Sequence, residues 1–377
     1  MPSIAGPGSH RPMTTDPIQT IINHHTGFLT LNRPEALNAL SLEMIRLMTK
    51  VLSAWRDDDA IHAVVVQGAG TKAFCAGGDI RAFYTSLKQG TADGRKLLDD
   101  FFTEEYALNH LIHAYPKPYF PVMDGIVMGG GMGIAQVHTP AGLRIVTERT
   151  RMAMPEVNIG LFPDVGGSFF LTRTPGAIGT YLGITGNIIG ASDALYAGLA
   201  DIYVPSGELP ALMTMLADPM TETGAYEAVR TFAHPFRAEV DARDSLLAMQ
   251  RIQIDRHFNH DELKAIMHSL AQNAGTFAEE TLAALRKRSP LMMCVTLEQL
   301  RRGARMDFAN CLRMERGMIH RAFEHHDALE GIRTAVIDKG DIPRWQPETL
   351  EMITPETIAA FFAPVWPSDQ HPLRNLR

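Results

Sequence analysis

Cysteine is scarce in this sequence, since Cys75, Cys294 and Cys311 are the only three among its 377 residues. An odd number of widely spaced cysteines excludes a disulfide framework and the paired-cysteine zinc sites. The HExxH pattern of zinc hydrolases is also absent from the sequence. We therefore expect a reducing compartment and no metal site.

Long apolar runs and an excess of basic charge are lacking as well. Two long uncharged stretches, 125–143 and 174–192, are interrupted by glycine and polar residues, whereas a spanning helix needs about 20 mainly apolar residues. We therefore expect no membrane partner. The 35 basic side chains against 42 acidic ones give a net charge of −7, which argues against a nucleic-acid partner.

The first residues of the chain contain no recognisable targeting signal. Residues 1–17 have neither the apolar centre of a signal peptide nor an arginine-rich amphipathic stretch. We expect a flexible leader there, with Met13 as a candidate start, and a cytoplasmic location.

What the sequence does contain is enough apolar material for a large core, with 45% hydrophobic and 20% charged residues. A chain of this length suggests two domains. In its first half, β-prone runs alternate with amphipathic helical runs, which predicts an α/β core at 18–205 that carries the active site. Helical runs dominate after about Val204, so we predict a helical C-terminal region at 206–377.

The individual elements follow from local patterns. Ser41 precedes an apolar stripe of helical spacing and predicts a helix start. A second amphipathic helix is predicted at 94–115, and residues 68–78 are predicted as a loop. The predicted strands are 18–22, 28–31, 62–67, 119–123 and 143–147.

The densest motif is the glycine triplet Gly129–Gly131, which follows the strand predicted at 119–123. Glycines between a strand and a helix can present free N–H groups to an oxygen or a phosphate. The dinucleotide fingerprint GxGxxG is not completed, because Gln136 stands where its last glycine belongs. Tight packing of the helix on the strand stays open as the alternative.

A second glycine loop, Gly77-Gly78, follows the strand predicted at 62–67. Two such loops at the ends of parallel strands could aim two N–H groups at one oxygen atom. That is the requirement for an oxyanion hole.

Two carboxylates, Glu156 and Asp164, lie among apolar residues in the stretch 154–167. Apolar surroundings raise the pKa of a carboxyl group and make acid–base chemistry possible near neutral pH. For Asp164, a helix cap is the alternative to a catalytic role. For Glu156, the alternative is a salt bridge to Arg149 or Arg151.

A third carboxylate, Glu105, lies on the apolar stripe of the second predicted helix, four residues after Phe101 and three before Leu108. A carboxylate on a buried face needs a partner or a chemical task. A buried pair with an arginine and a role in the site are both open, whereas Glu104 points to solvent.

Four ordered motifs together resemble the enoyl-CoA hydratase/isomerase (crotonase) superfamily, and within it they are most similar to the 3-hydroxyisobutyryl-CoA hydrolase group. The resemblance covers about residues 18–347. Its distinguishing pieces include Glu104–Tyr106 and the phrase HHDALEGIRTAVIDKGDIPRWQP at 325–347. The motifs are LNRPEALNALS (31–41), KAFCAGGDIRAF (72–83), MDGIVMGGGMGI (123–134) and MPEVNIGLFPDVGGSFFL (154–171).

This resemblance implies a crotonase-type spiral of β-β-α turns with a helical C-terminal region. It implies an acyl-CoA thioester as substrate, bound with its carbonyl oxygen between the N–H groups of Gly78 and Gly130. Glu156 falls on the shared catalytic glutamate and Asp164 on the aspartate of the hydrolases, and both contact substrate, as do Glu105 and Gly130. No metal or cofactor is implied, because coenzyme A is part of the substrate; a homo-oligomer is a possible assembly.

One departure separates the subfamilies, because the hydratases carry a second catalytic glutamate where this chain has Gly133. We therefore expect hydrolysis of a short 3-hydroxyacyl-CoA, above all 3-hydroxyisobutyryl-CoA of valine catabolism. An enoyl-CoA hydratase or isomerase and a non-catalytic acyl-CoA-binding protein are the alternatives. The segment 135–142 is a few residues longer than in the hydrolases, which leaves the acyl chain open.

Overall fold

The computed structural model describes residues 16–240 and 244–377. The predicted leader at 1–17, with its candidate start Met13, lies outside the described residues except for its last two positions.

Within residues 16–240 and 244–377, nine strands form two sheets. The larger sheet has six strands in the order β1-β2-β3-β5-β7-β9, and the smaller has three in the order β4-β6-β8. Of the strands in the described part of the chain, β1 and β2 pair antiparallel, while the other pairs run parallel. The bounds are β1 Ile18–Asn23, β2 Thr26–Leu31, β3 Ala63–Gly68, β4 Ala73–Cys75, β5 Tyr119–Met123, β6 Ile126–Met128, β7 Ile145–Val146, β8 Arg151–Ala153 and β9 Ile202–Tyr203.

The chain repeats one turn three times, with a strand in the large sheet, a strand in the small sheet and then helical structure. This is the β-β-α spiral that the resemblance implies. The small sheet corrects two predictions. The predicted loop at 68–78 contains β4, and the two glycine loops follow β4 and β6 rather than β3 and β5, because strands of three residues are too short to show a periodic pattern.

The described residues also form seventeen α-helices, which are joined by loops and short 3-10 segments. Their bounds are α1 Leu42–Asp57, α2 Ile80–Gln89, α3 Ala92–His113, α4 Gly130–Gly133, α5 Gly167–Phe170, α6 Ile178–Thr185, α7 Ala191–Tyr196, α8 Leu209–Leu216, α9 Glu222–Ala233, α10 Leu246–Met249, α11 Arg251–Phe258, α12 Leu263–Ala271, α13 Thr276–Leu285, α14 Pro290–Gly303, α15 Phe308–Glu324, α16 His326–Ile332 and α17 Pro355–Ala360. A 3-10 helix spans Glu156–Ile159.

Local sequence explains the two helices nearest the site. Ser41 caps α1 as predicted, since its side chain accepts a hydrogen bond from the Met44 N–H. In α3, the apolar stripe is buried, and Glu105 lies on it with 2% of its surface exposed. This helix packs on α1 on one side and on α15 on the other.

The largest cluster of buried apolar side chains runs through both predicted parts of the chain, from Leu29 in β2 to Ile319 in α15. A smaller cluster on the other side of the large sheet holds α8 and α9. The C-terminal helices thus pack against the elements that carry the site, while the boundary near residue 205 stays a prediction.

Candidate active site

The two glycine loops meet at the ends of neighbouring parallel strands, β4 and β6. Gly77 has a φ of +100° and Gly129 a φ of +50° with a ψ of −120°, conformations that a side chain strongly disfavours. A methyl group added to Gly130 would lie 3.4 Å from the Gly78 nitrogen. The two predicted amides are therefore close neighbours.

Both amides are free to bind an oxygen atom. Among the described residues, the N–H groups of Gly78 and Gly130 donate no hydrogen bond to another residue. Gly130 is also buried. Two convergent, unpaired N–H groups are the arrangement that stabilises a developing oxyanion, although that role stays a prediction for this pair.

Glu156 begins the 3-10 helix that follows β8, the neighbour of β6. Its side chain is buried, and Oε2 has no hydrogen-bond partner among the described residues. A methyl group on Gly129 would lie 2.7 Å from its Oε1. The alternative salt bridge to Arg149 or Arg151 is not formed among the described residues, because Arg149 pairs with Asp124 and Oε2 of Glu156 has no partner.

Asp164 lies in the same buried region, in the loop before α5. Its Oδ2 accepts a hydrogen bond of 2.6 Å from the hydroxyl of Tyr106. The alternative role as a helix cap is wrong, since Gly166 is the N-cap residue of α5 and the Asp164 carboxylate bonds to Tyr106 instead. Burial raises the pKa of Asp164 to about 6, and the hydrogen bond from Tyr106 opposes that rise.

Glu105 approaches from α3. A methyl group on Gly130 would lie 2.5 Å from its Oε1, which has no hydrogen-bond partner within the described part of the chain. The alternative of a buried arginine pair is therefore wrong. Burial, and then the charge of Asp164, raise the pKa of Glu105 well above its ordinary value.

The three carboxyl groups titrate together. Burial first, and then the charge of Asp164, also raise the pKa of Glu156 well above its ordinary value, and Glu105 adds to the rise. Neighbouring buried carboxyl groups cannot all ionise at low cost, so ionisation of one disfavours ionisation of the others. The cluster can therefore both accept and donate protons beside the two free amides.

The predicted site residues Gly78, Gly130, Glu105, Glu156 and Asp164 thus surround one small region. The sequence pattern of the family described as "Enoyl-CoA hydratase/isomerase" matches residues 26–362. The chain belongs to this family.

Curated relatives in this family carry two kinds of name. The 3-hydroxyisobutyryl-CoA hydrolase, mitochondrial, of Xenopus tropicalis is 40% identical over 91% of this chain and 88% of its own. The small ribosomal subunit protein mS47 of Neurospora crassa is 39% identical over 86% of this chain and 66% of its own. Because several relatives are named as mitochondrial, the cytoplasmic location gains no support and stays a prediction.

Solved structures confirm the crotonase fold. A carnitinyl-CoA dehydratase from Mycobacterium thermoresistibile has a TM-score of 0.84 at 37% identity, over 94% of this chain and 98% of its own. An enoyl-CoA hydratase from Rhodobacter sphaeroides has a TM-score of 0.82 at 36% identity, over 93% and 98%.

The structure leaves no room for a side chain at residue 133. A methyl group on Gly133 would lie 2.6 Å from Cβ of Val165 and 2.8 Å from Nδ2 of Asn109. Both neighbours are buried, and Nδ2 and Oδ1 of Asn109 have no partner among the described residues. The position where the hydratases of the resemblance carry a glutamate is therefore closed by other residues.

Sequence reasoning missed four side chains around this site. Tyr106 belongs to the segment Glu104–Tyr106, and Asn109 follows Glu105 by one helical turn. Both were therefore detectable as polar residues on the buried stripe of α3. Gln299 and Glu315 come from the C-terminal helices and contact the loop around Asp164. No local signal marks these two.

Residues 16–240 and 244–377 lack two further features. No group of three or more histidine, cysteine, aspartate or glutamate side chains there could hold a metal ion. No helix there has the length and apolar character needed to cross a bilayer.

Proposed function

We propose that the protein is an acyl-CoA thioester hydrolase that acts on short 3-hydroxyacyl-CoA esters, above all 3-hydroxyisobutyryl-CoA. The observation that carries this proposal is the closed position at Gly133, beside which Asp164 is held by Tyr106. Hydration of a double bond needs a positioned acid and base around one water molecule. Hydrolysis of a thioester needs less, because the thiolate leaves readily.

In the proposed reaction, the thioester carbonyl oxygen lies between the N–H groups of Gly78 and Gly130. Their hydrogen bonds strengthen as that oxygen becomes negative, and one such donor contributes about 10²–10³ in rate. Water adds to the carbonyl carbon, the C–S bond breaks, and the products are the free acid and coenzyme A.

Glu156 supplies the attack in one of two ways. As a general base, it removes a proton from the attacking water; as a nucleophile, it forms a mixed anhydride that water then hydrolyses. Its unpaired Oε2 is available for either. Asp164 is proposed to accept the hydrogen bond of the substrate 3-hydroxyl or to orient the water, and Glu105 to contact the acyl group. The reaction needs no metal or further cofactor.

The curated relatives named as 3-hydroxyisobutyryl-CoA hydrolases support this proposal. The product, 3-hydroxyisobutyrate, would place the reaction in valine catabolism. The solved structures described as a dehydratase and a hydratase keep hydration as a second candidate. The ribosomal relative keeps a non-catalytic role as a third.

The experiment is a screen of thiol release from short acyl-CoA esters, with crotonyl-CoA hydration measured in parallel. We expect release from 3-hydroxyisobutyryl-CoA or 3-hydroxypropionyl-CoA. Efficient hydration of crotonyl-CoA without thiol release would establish the second candidate. Inactivity towards every ester would favour the third.

Two variants separate the proposed roles. Glu156→Gln should lower kcat steeply with little change in KM, as expected for a group that acts in the chemical step. Asp164→Asn should lose less activity than Glu156→Gln. Its loss should be larger on a 3-hydroxyacyl ester than on a plain ester of equal length. Glu104→Gln is the matched control, because Glu104 is on the outer face of α3 and pairs with Arg46. Retained kcat in Glu156→Gln would overturn the proposed mechanism.

A further inference from the structure

The loop that carries Asp164, residues 163–168, is held by two buried side chains from the C-terminal helices. On α14, Nε2 of Gln299 donates to the carbonyl of Pro163 at 2.5 Å and to the Ser168 hydroxyl at 2.8 Å. On α15, the carboxylate of Glu315 accepts from the N–H of Gly166 at 2.8 Å and of Ser168 at 2.9 Å. The Asp164 loop is thus bound on both sides of Asp164.

This loop has a conformation that its own residues do not favour. Val165 has a φ of +51°, in the left-handed region, which is a rare state for a β-branched residue. Such a strained residue persists only when surrounding contacts hold it. The following residue, Gly166, also has a positive φ, which glycine adopts without strain, so Val165 is the position that depends on outside support.

The C-terminal helices also press directly on this loop. A methyl group on Gly303 of α14 would lie 2.3 Å from the carbonyl oxygen of Ser168, and one on Gly166 would lie 2.4 Å from Phe308 of α15. Only glycine at these two positions allows the approach. The hydrogen bonds of Gln299 and Glu315 therefore act across a tightly fitted contact.

Glu315 has no other hydrogen-bond partner in the described part of the chain, and it is fully buried. Burial raises the pKa of Glu315 to about 8, while the hydrogen bonds from Ser168 and Gly166 oppose the rise. Burial of a carboxyl group costs free energy unless hydrogen bonds or an ion pair compensate for the lost water. Here those bonds go to the loop of one candidate catalytic residue.

We propose that Glu315 and Gln299 are positioning residues that fix the Asp164 loop, so that the C-terminal helices help to build the active site rather than only cover it. Tyr106 fixes the carboxylate of Asp164 directly, and these two residues fix its backbone. The inference rests on the proposed function, since it concerns the role of Asp164 in that reaction.

A double-mutant cycle tests it. Glu315→Gln, Asp164→Asn and the combination are compared by kcat/KM for thiol release, on a 3-hydroxyacyl ester and a plain ester of equal length. We expect Glu315→Gln to lower kcat/KM by about tenfold or more on the hydroxylated ester, since small misplacements can cost about 10² in rate. In the Asp164→Asn background, the same change should cost less than about twofold, because residues that act through one another are not additive.

Two further variants keep the test decisive if Glu315→Gln folds poorly. Gln299→Met removes both donated hydrogen bonds without a change of charge and should show the same dependence on Asp164. Glu315→Asp keeps the carboxylate and should restore part of the rate. Glu324→Gln is the matched control on α15, since the Glu324 side chain is exposed at the C-terminal end of that helix. It should leave kcat/KM on both esters unchanged.

Additive losses in the cycle would overturn the inference while the wild-type activity leaves the proposed function standing. A wild-type protein that releases no thiol from any short ester would overturn both, and the failure would lie in the proposed function. Thermal unfolding of each variant identifies losses that come from unfolded protein.

Discussion

Removal of the Tyr106 hydroxyl is a direct test of how the site controls Asp164. Tyr106 is fully buried and donates to Oδ2 of Asp164 at 2.6 Å. Burial, and then the charge of Asp164, raise the pKa of Tyr106 well above its ordinary value, so the phenol keeps its proton and remains a donor. This hydrogen bond favours the ionised form of Asp164 and lowers the pKa of that carboxyl group.

The expected effect of Tyr106→Phe follows from the size of such a bond. A hydrogen bond to a charged group contributes about 1.5–3 kcal/mol, which corresponds to roughly 1–2 pKa units. From a starting pKa of about 6, that of Asp164 would move to roughly 7–8. Because the ionised carboxylate of Asp164 accepts a hydrogen bond from substrate or water more strongly than the protonated acid, kcat/KM at pH 7 should fall by up to roughly 2- to 10-fold and recover by about pH 9.

The assay is thiol release from a 3-hydroxyacyl-CoA between pH 5 and 9, with uncatalysed hydrolysis subtracted. The acid limb of the profile should move to higher pH in Tyr106→Phe. Tyr115→Phe is the matched control, since it removes a buried hydroxyl that donates to the Leu52 carbonyl at 2.8 Å in another part of the core. A Tyr106→Phe profile that is lower by the same factor at every pH would refute the argument.

Three further predictions concern the same region. Gly130→Pro should lower kcat about 10²–10³-fold relative to Gly130→Ala, because the alanine variant adds a similar clash but keeps the N–H; equal kcat values would show that this N–H is not used. Gly133→Glu should gain no crotonyl-CoA hydration and should lower the melting temperature, because even a methyl group would lie 2.6 Å from Val165; a stable, active hydratase would contradict this. The pKa of Glu315, raised to about 8 from an ordinary 4.5, means that the folded state holds a proton that the unfolded state has lost, so the unfolding free energy in urea should fall as pH rises between those values. The unfolding free energy of Glu315→Gln should fall less over that pH range, and parallel curves for the variant and the wild type would count against this prediction.

The sequence alone determined several of the helices and large-sheet strands around the site. Periodic apolar residues and the cap at Ser41 placed α1, and the buried run of β3 was visible because apolar residues dominate it. The glycine loops and the three carboxylates were each candidates, since glycines and charges in apolar surroundings are costly without a purpose, and the family resemblance joined them in one predicted site. Glu105 was placed on its buried helix face by spacing alone.

Only the tertiary structure decided what those groups touch. The small sheet, the hydrogen bond from Tyr106 to Asp164 and the closed position at Gly133 depend on segments brought together by folding. Glu315 contacts Gly166 across 149 positions of sequence. A local pattern records only which face of a helix or strand is buried, because its period comes from neighbours three or four residues apart. It carries no information on the distant partner, and so the support of the Asp164 loop by the C-terminal helices became visible only in the folded chain.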